Sequence, residues 1–162
     1  MSKTVSKELL LFHSSVEACR QRVEKLRYSI AKTTDLFPLT ESRLSTFTDG
    51  QEESVDALIL RYAQCVTMIQ EQLFRGIALL EQENINDKSN RDKTLLMEKL
   101  GAIRSADAFG TAAMLRNKFA HNYPEESSAR LERLNLIVEE AHFVIATFSD
   151  ITAYLSQKGF TA

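Results

Sequence analysis

The residues best suited to chemistry lie in one short stretch, LRNKFAHNYPEE, residues 115–126. Arg116 is followed after four residues by His121, and Tyr123 stands one residue further on, directly before Pro124. An arginine is always charged and presents a planar fork of N–H donors that matches two phosphate oxygens. A histidine titrates close to neutral pH and can take or give a proton. Together they suit the cutting of RNA, whose nucleophile, the ribose 2′-hydroxyl, is already held beside the scissile phosphate, so that the chemistry calls for neither metal nor cofactor. In such a reaction His121 moves the protons and Arg116 offsets the charge that grows on the phosphate oxygens. Asn117 is placed to orient the imidazole or a phosphate oxygen through its amide. Tyr123 can hydrogen-bond the substrate, and its phenol offers a handle for covalent modification. Lys118 and Arg104, with Arg130 and Arg133 further along, add local positive charge.

The spacing sets a geometric problem. Each residue of a helix turns by about 100°, so two residues five apart point roughly 140° away from each other. One straight helix cannot aim Arg116 and His121 at a single small target. Pro124 supplies the way out, because it disfavours the α conformation at Tyr123 and has no backbone N–H to donate. The helix is therefore predicted to stop within a residue or two of His121, leaving the chain free to swing the ring. A helix C-terminus also favours a protonated imidazole. A two-fold axis through that end would bring two guanidinium groups and two imidazoles into one cleft. Arg and His are also ordinary dipole partners of any helix end, so the spacing alone does not single out catalysis.

The elements that must carry this stretch are helices. From Val5 to Ile30 apolar residues alternate steps of four and three through Leu9, Phe12, Val16, Cys19, Val23 and Leu26, a seam of about seven turns. Residues 35–54 break the pattern with Pro38, Gly50 and many hydroxyls, and are expected to form a connection with a short helical turn at Thr40 to Phe47, capped by Thr40. A second long helix is predicted from Val55 to Leu80. It fades into the polar stretch ENINDKSNRDK, residues 83–93, read as a turn-rich loop. A short third helix is expected over Thr94 to Ile103, with Leu95, Leu96 and Leu100 on its apolar side. Ser105 or Asp107 caps a fourth that runs to about Asn122, and a fifth restarts at Ser127 or Ser128 and continues through Leu155. No strand-like alternation or internal repeat occurs. The prediction is a single all-α domain over residues 1–162, a bundle of four to five helices.

Composition bounds the rest. Of 162 residues, 44% are apolar and 26% charged, with only five Gly and two Pro, a mixture that suits long amphipathic helices. A net charge of −2 is not that of a protein coating nucleic acid non-specifically, so any RNA contact is local. No apolar run reaches the eighteen or so residues of a membrane span, and the N-terminal stretch lacks a secretory pattern, which makes a cytoplasmic location the expectation. Cys19 and Cys65 fall on apolar helix positions and are expected as reduced core residues. His13 and His142 flank apolar stripes and are expected to pack rather than react.

RNKFAHNY resembles the R-x4-H-x-Y signature of the HEPN superfamily, in particular of HepT-type toxins encoded beside a small nucleotidyltransferase antitoxin. Arg116, Asn117, His121 and Tyr123 stand on the motif positions. The resemblance extends more loosely over residues 36–141, through LFPLT, LFRGIALL and MEKLGAI in that order; the first helix matches only as a helix. It implies a homodimer with a metal-independent endoribonuclease site shared across the two-fold axis. It also implies silencing by transfer of AMP from ATP onto Tyr123 by the partner nucleotidyltransferase, which would place a bulky anion where RNA phosphate should sit. The alternative is a non-catalytic module of the same fold, serving as the substrate-binding subunit of a nucleotidyltransferase complex.

Overall fold

The computed structural model of the chain describes residues 3–120 and 127–160. Among these residues the regular structure is helical throughout. Helix α1 spans Lys3–Thr33 and passes into a 3-10 turn at Thr34–Leu36. A short α2 (Glu41–Ser45) precedes α3 (Asp49–Met68), which continues through a π turn, Ile69–Leu73, into α4 (Phe74–Leu80). Then follow α5 (Asn90–Leu100), α6 (Ala106–Ala120) and α7 (Ser127–Gln157). No helix of the described residues is long and apolar enough to cross a membrane.

Helix α1 packs along α3, α6 lies between α3 and α5, and α7 closes the bundle against α1, α3 and α6. The seam of α1 faces inward as its spacing predicts: Phe12, Val16, Cys19, Val23, Leu26 and Ile30 are buried. So are Leu134, Ile137, Ala141, Val144, Ile145, Phe148, Ile151 and Leu155 of α7. Burying one such side chain stabilises the fold by about 1.5–3 kcal/mol, so these two seams alone outweigh every surface ion pair of the molecule. Cys19 and Cys65 are both unpaired and buried, and burial pushes each thiol up to about 12, so both stay protonated at neutral pH.

Hydrogen bonds then fix how the helices meet. The Tyr62 hydroxyl, fully buried, donates to the Ala112 carbonyl at 2.6 Å and so locks α3 to α6. The rings of Phe74 and Phe109 meet at 5.0 Å between centroids, adding an apolar contact between α4 and α6. Asn135 of α7 pairs with both backbone groups of Leu39, accepting from its N–H at 2.6 Å and donating to its carbonyl at 2.9 Å. His13 donates from Nε2 to the Phe160 carbonyl at 2.7 Å, a packing role, while His142 is exposed on α7. Tyr28 is 60% exposed, with the Arg61 and Lys32 side chains over its ring.

Local signals explain where the helices start, and where the sequence reading placed them too late. The Thr40 hydroxyl accepts from the Arg43 N–H, as its capping position predicts. Helix α3 begins at Asp49, not Val55, because Thr48 and Gln51 form a reciprocal capping box. Helix α5 begins at Asn90, inside the stretch read as a loop, because Ser89 caps it through the Asp92 N–H. On this helix Thr94 and Met97 face the core, while Leu95, expected on the apolar side, is 40% exposed. Gly101 ends α5 in the left-handed region, with φ 89°, where a side chain would be strained. The remainder of the 83–93 segment is also anchored, since Ile85 is buried in the core. The expected end of α6 at Pro124 lies outside the described residues.

Candidate functional site

Helix α6 presents Arg116 near its C-terminal end and is itself held at the other end. The Ser105 hydroxyl accepts from the Ala108 N–H at 3.0 Å, and the Glu98 carboxylate accepts from the Ala106 N–H at 2.6 Å. An acid at a helix N-terminus complements the dipole as well as filling an orphan donor. With Phe109, Ala112, Ala113 and Leu115 buried beneath it, the helix gives Arg116 a fixed platform.

The Arg116 guanidinium is braced on two sides. Its Nε and Nη2 both donate to Asn117 Oδ1, at 3.1 and 2.9 Å, and its Nη1 donates to Thr67 Oγ1 of α3 at 3.3 Å. These bonds occupy three of the five N–H groups of a guanidinium, which leaves two for a ligand. The side chain is half-buried, and no carboxylate among the described residues forms an ion pair with it. Burial lowers its pKa from the ordinary value, while Glu71 and Tyr62 act in the opposite sense. An arginine keeps its charge through a shift of this kind, so a partly desolvated cation stands ready for an anion.

Arg116 and Asn117 line a cleft of about 420 Å³ that also takes in Gln70 of the π turn, Arg91 and Thr94 of α5, and Asp107 of α6. Arg91 bonds Asp107 at 2.6 Å across the cleft wall. Arg116 and Asn117, neighbours in the chain, thus both face this cleft. His121 and Tyr123 lie outside the described residues. Of the basic residues that the sequence places near the motif, Arg104 and Arg130 do not converge here. Arg104, at the opposite end of α6, is engaged by Asp150 through Nε at 2.8 Å and Nη2 at 2.9 Å. Arg130 lines a different cleft of about 350 Å³, together with Leu39, Leu44, Glu41, Glu52 and Asp56. That second cleft has an apolar floor and three carboxylates at its edge, a poor setting for phosphate. Lys118 is half-buried on α6.

Thr67, Gln70 and Arg91 escape the sequence reading. Gln70 stands at the edge of the apolar stripe of the second long helix and Thr67 off it, while Arg91 belongs to the polar 83–93 stretch. The signal is Gln70 alone, a polar residue at the edge of the stripe between Ile69 and Leu73, where a core-only helix would place an apolar one. Among the described residues no three His, Cys, Asp or Glu side chains gather as metal ligands would. Burial above all raises the Tyr62 phenol above its ordinary value, with Glu140 of α7 acting in the same sense and Arg116 in the opposite one. Comparison of the chain with models of known families, with curated proteins and with solved structures finds no match.

Proposed function

We propose that the chain is the toxin of a toxin–antitoxin pair, a HEPN-like endoribonuclease that works as a homodimer and is silenced by a partner nucleotidyltransferase. The observation that supports this best is the Arg116 guanidinium, half-buried and braced by Asn117 and Thr67, with two N–H groups left over in a cleft. It begins the R-x4-H-x-Y string, whose His121 and Tyr123 come after it at the motif spacing.

In the proposed reaction the ribose 2′-oxygen attacks the neighbouring phosphorus as neutral His121 takes the hydroxyl proton. The bond from phosphorus to the 5′-oxygen breaks, and protonated His121 of the second copy donates to the leaving oxygen. The products are a 2′,3′-cyclic phosphate and a 5′-hydroxyl. Arg116 stabilises the charge on the two non-bridging oxygens. For silencing, the Tyr123 phenol oxygen attacks the α-phosphorus of ATP and pyrophosphate leaves.

The test uses purified chain, labelled single-stranded RNA and a chelator. Cleavage leaving cyclic-phosphate ends is expected, together with a dimer by light scattering and growth arrest on expression without the partner. Incubation with the adjacent nucleotidyltransferase and ATP should add AMP to Tyr123 and stop cleavage. A chain inert on tRNA and mRNA and harmless on its own would sink the nuclease reading in favour of a non-catalytic subunit. AMP addition that survives Tyr123→Phe would remove only the regulatory step.

A further inference from the structure

We propose that Gln70 is a specificity-determining residue of the Arg116 cleft, reading the edge of the nucleobase attached to the phosphate that Arg116 holds. This rests on the reading of that cleft as an RNA site. Gln70 is 7% exposed and lies between Ile69 and Leu73, both fully buried. It lines the cleft, yet its amide makes no hydrogen bond among the described residues. No fully enclosed side-chain N or O among those residues lacks a partner, so the amide keeps an opening to the cleft. A nearly buried amide without a protein partner costs stability, and a leucine or methionine would serve the core better at this position. Such groups in native structures call for an explanation, and a ligand is one.

The backbone points the same way. Gln70 falls within the π turn Ile69–Leu73, closed by the bond from the Phe74 N–H to the Ile69 carbonyl. Single π turns inside α-helices occur often at functional sites. Thr67, three residues earlier and so on the same helix face, is the residue that braces Arg116. A phosphate needs donors only, and Arg116 already supplies them. A glutamine amide offers a donor beside an acceptor, the pattern that base edges present and phosphates do not. Unpaired bases of single-stranded RNA expose those edges for reading of this kind.

The experiment measures binding of four non-cleavable 2′-O-methyl tetranucleotides, one for each base, to the full chain. Wild type is expected to separate the best from the worst by at least about fivefold, the lower end of what one well-made base contact supplies. Gln70→Leu should flatten that preference while leaving the weakest ligand bound as before, and Arg116→Ala should weaken all four alike. Removing the unpaired amide should also leave the Tm at or above wild type, with a gain of about 2–4 °C. A preference that survives in Gln70→Leu, the absence of any preference in wild type, or a fall in Tm on substitution overturns the assignment. Base-selective binding that depends on Gln70 in a protein that does not cleave RNA would uphold it and sink the catalytic reading alone. Failure to bind any tetranucleotide would overturn both.

Discussion

Under the proposed nuclease reading, Arg116→Ala is expected to slow RNA cleavage by about 100- to 1,000-fold, the usual cost of losing one preorganised donor to a developing oxyanion. The reason lies in how the side chain is held. Its bonds to Asn117 and Thr67 fix the plane of the guanidinium before substrate arrives, so no reorganisation is needed as charge builds on the phosphate. Arg116→Lys should recover little of the loss. An ammonium keeps the charge but cannot span Asn117 Oδ1, Thr67 Oγ1 and a phosphate with one rigid fork. Asn117→Ala and Thr67→Val should each cost about tenfold, because each removes one brace and leaves the other, a difference of about 1.4 kcal/mol in the barrier. His121→Ala should be as damaging as Arg116→Ala, by about 100- to 10,000-fold, through loss of proton transfer. Single-turnover rates on a labelled RNA, with helicity checked by circular dichroism, decide the matter. Cleavage by Arg116→Ala within about threefold of wild type would rule out the oxyanion role assigned to this residue.

The order of these effects reflects which interactions a sequence can encode locally. The long seams of α1 and α7 are legible because a helix repeats every 3.6 residues and a buried stripe must keep that period. The caps at Thr40 and Ser105 are legible because a single hydroxyl suffices. The Thr48–Gln51 capping box escapes the sequence reading, because Gly50 and the hydroxyl-rich surroundings mark that segment as a connection. The π turn is different in kind. One extra residue at Ile69–Leu73 shifts the register of α4 against α3, and nothing in the spacing of Ile69, Leu73 and Ile77 requires it. The local pattern does not encode it. The same holds for the site: Arg116 and Asn117 are neighbours in the chain and could be read together. Thr67, Gln70 and Arg91 join them only because α3, the π turn and α5 converge on α6.

Gly76→Ala is expected to destabilise the protein by about 2–4 kcal/mol, although alanine is the better helix former by about 1 kcal/mol. Gly76 lies in the middle of α4, and the ring of Phe12 from α1 rests directly on its backbone; a Cβ there would overlap the ring atoms. Phe12 is 6% exposed and belongs to the main core, so the ring has no free space into which to move. Either it leaves its site, forfeiting much of the roughly 3–5 kcal/mol that a buried phenylalanine contributes, or α4 moves away from α1. The two routes differ in their effect on the cleft, because α4 continues directly from the π turn that carries Gln70. A double-mutant cycle separates steric conflict from any other cause. In a Phe12→Ala background the ring is gone, so Gly76→Ala should become neutral or stabilising by up to about 1 kcal/mol, giving a coupling of at least about 2 kcal/mol between two residues 64 apart in sequence. Urea unfolding monitored by circular dichroism measures all four corners. Additive effects, or a Gly76→Ala variant within about 0.5 kcal/mol of wild type, would mean that the ring of Phe12 does not set the approach of α1 to α4.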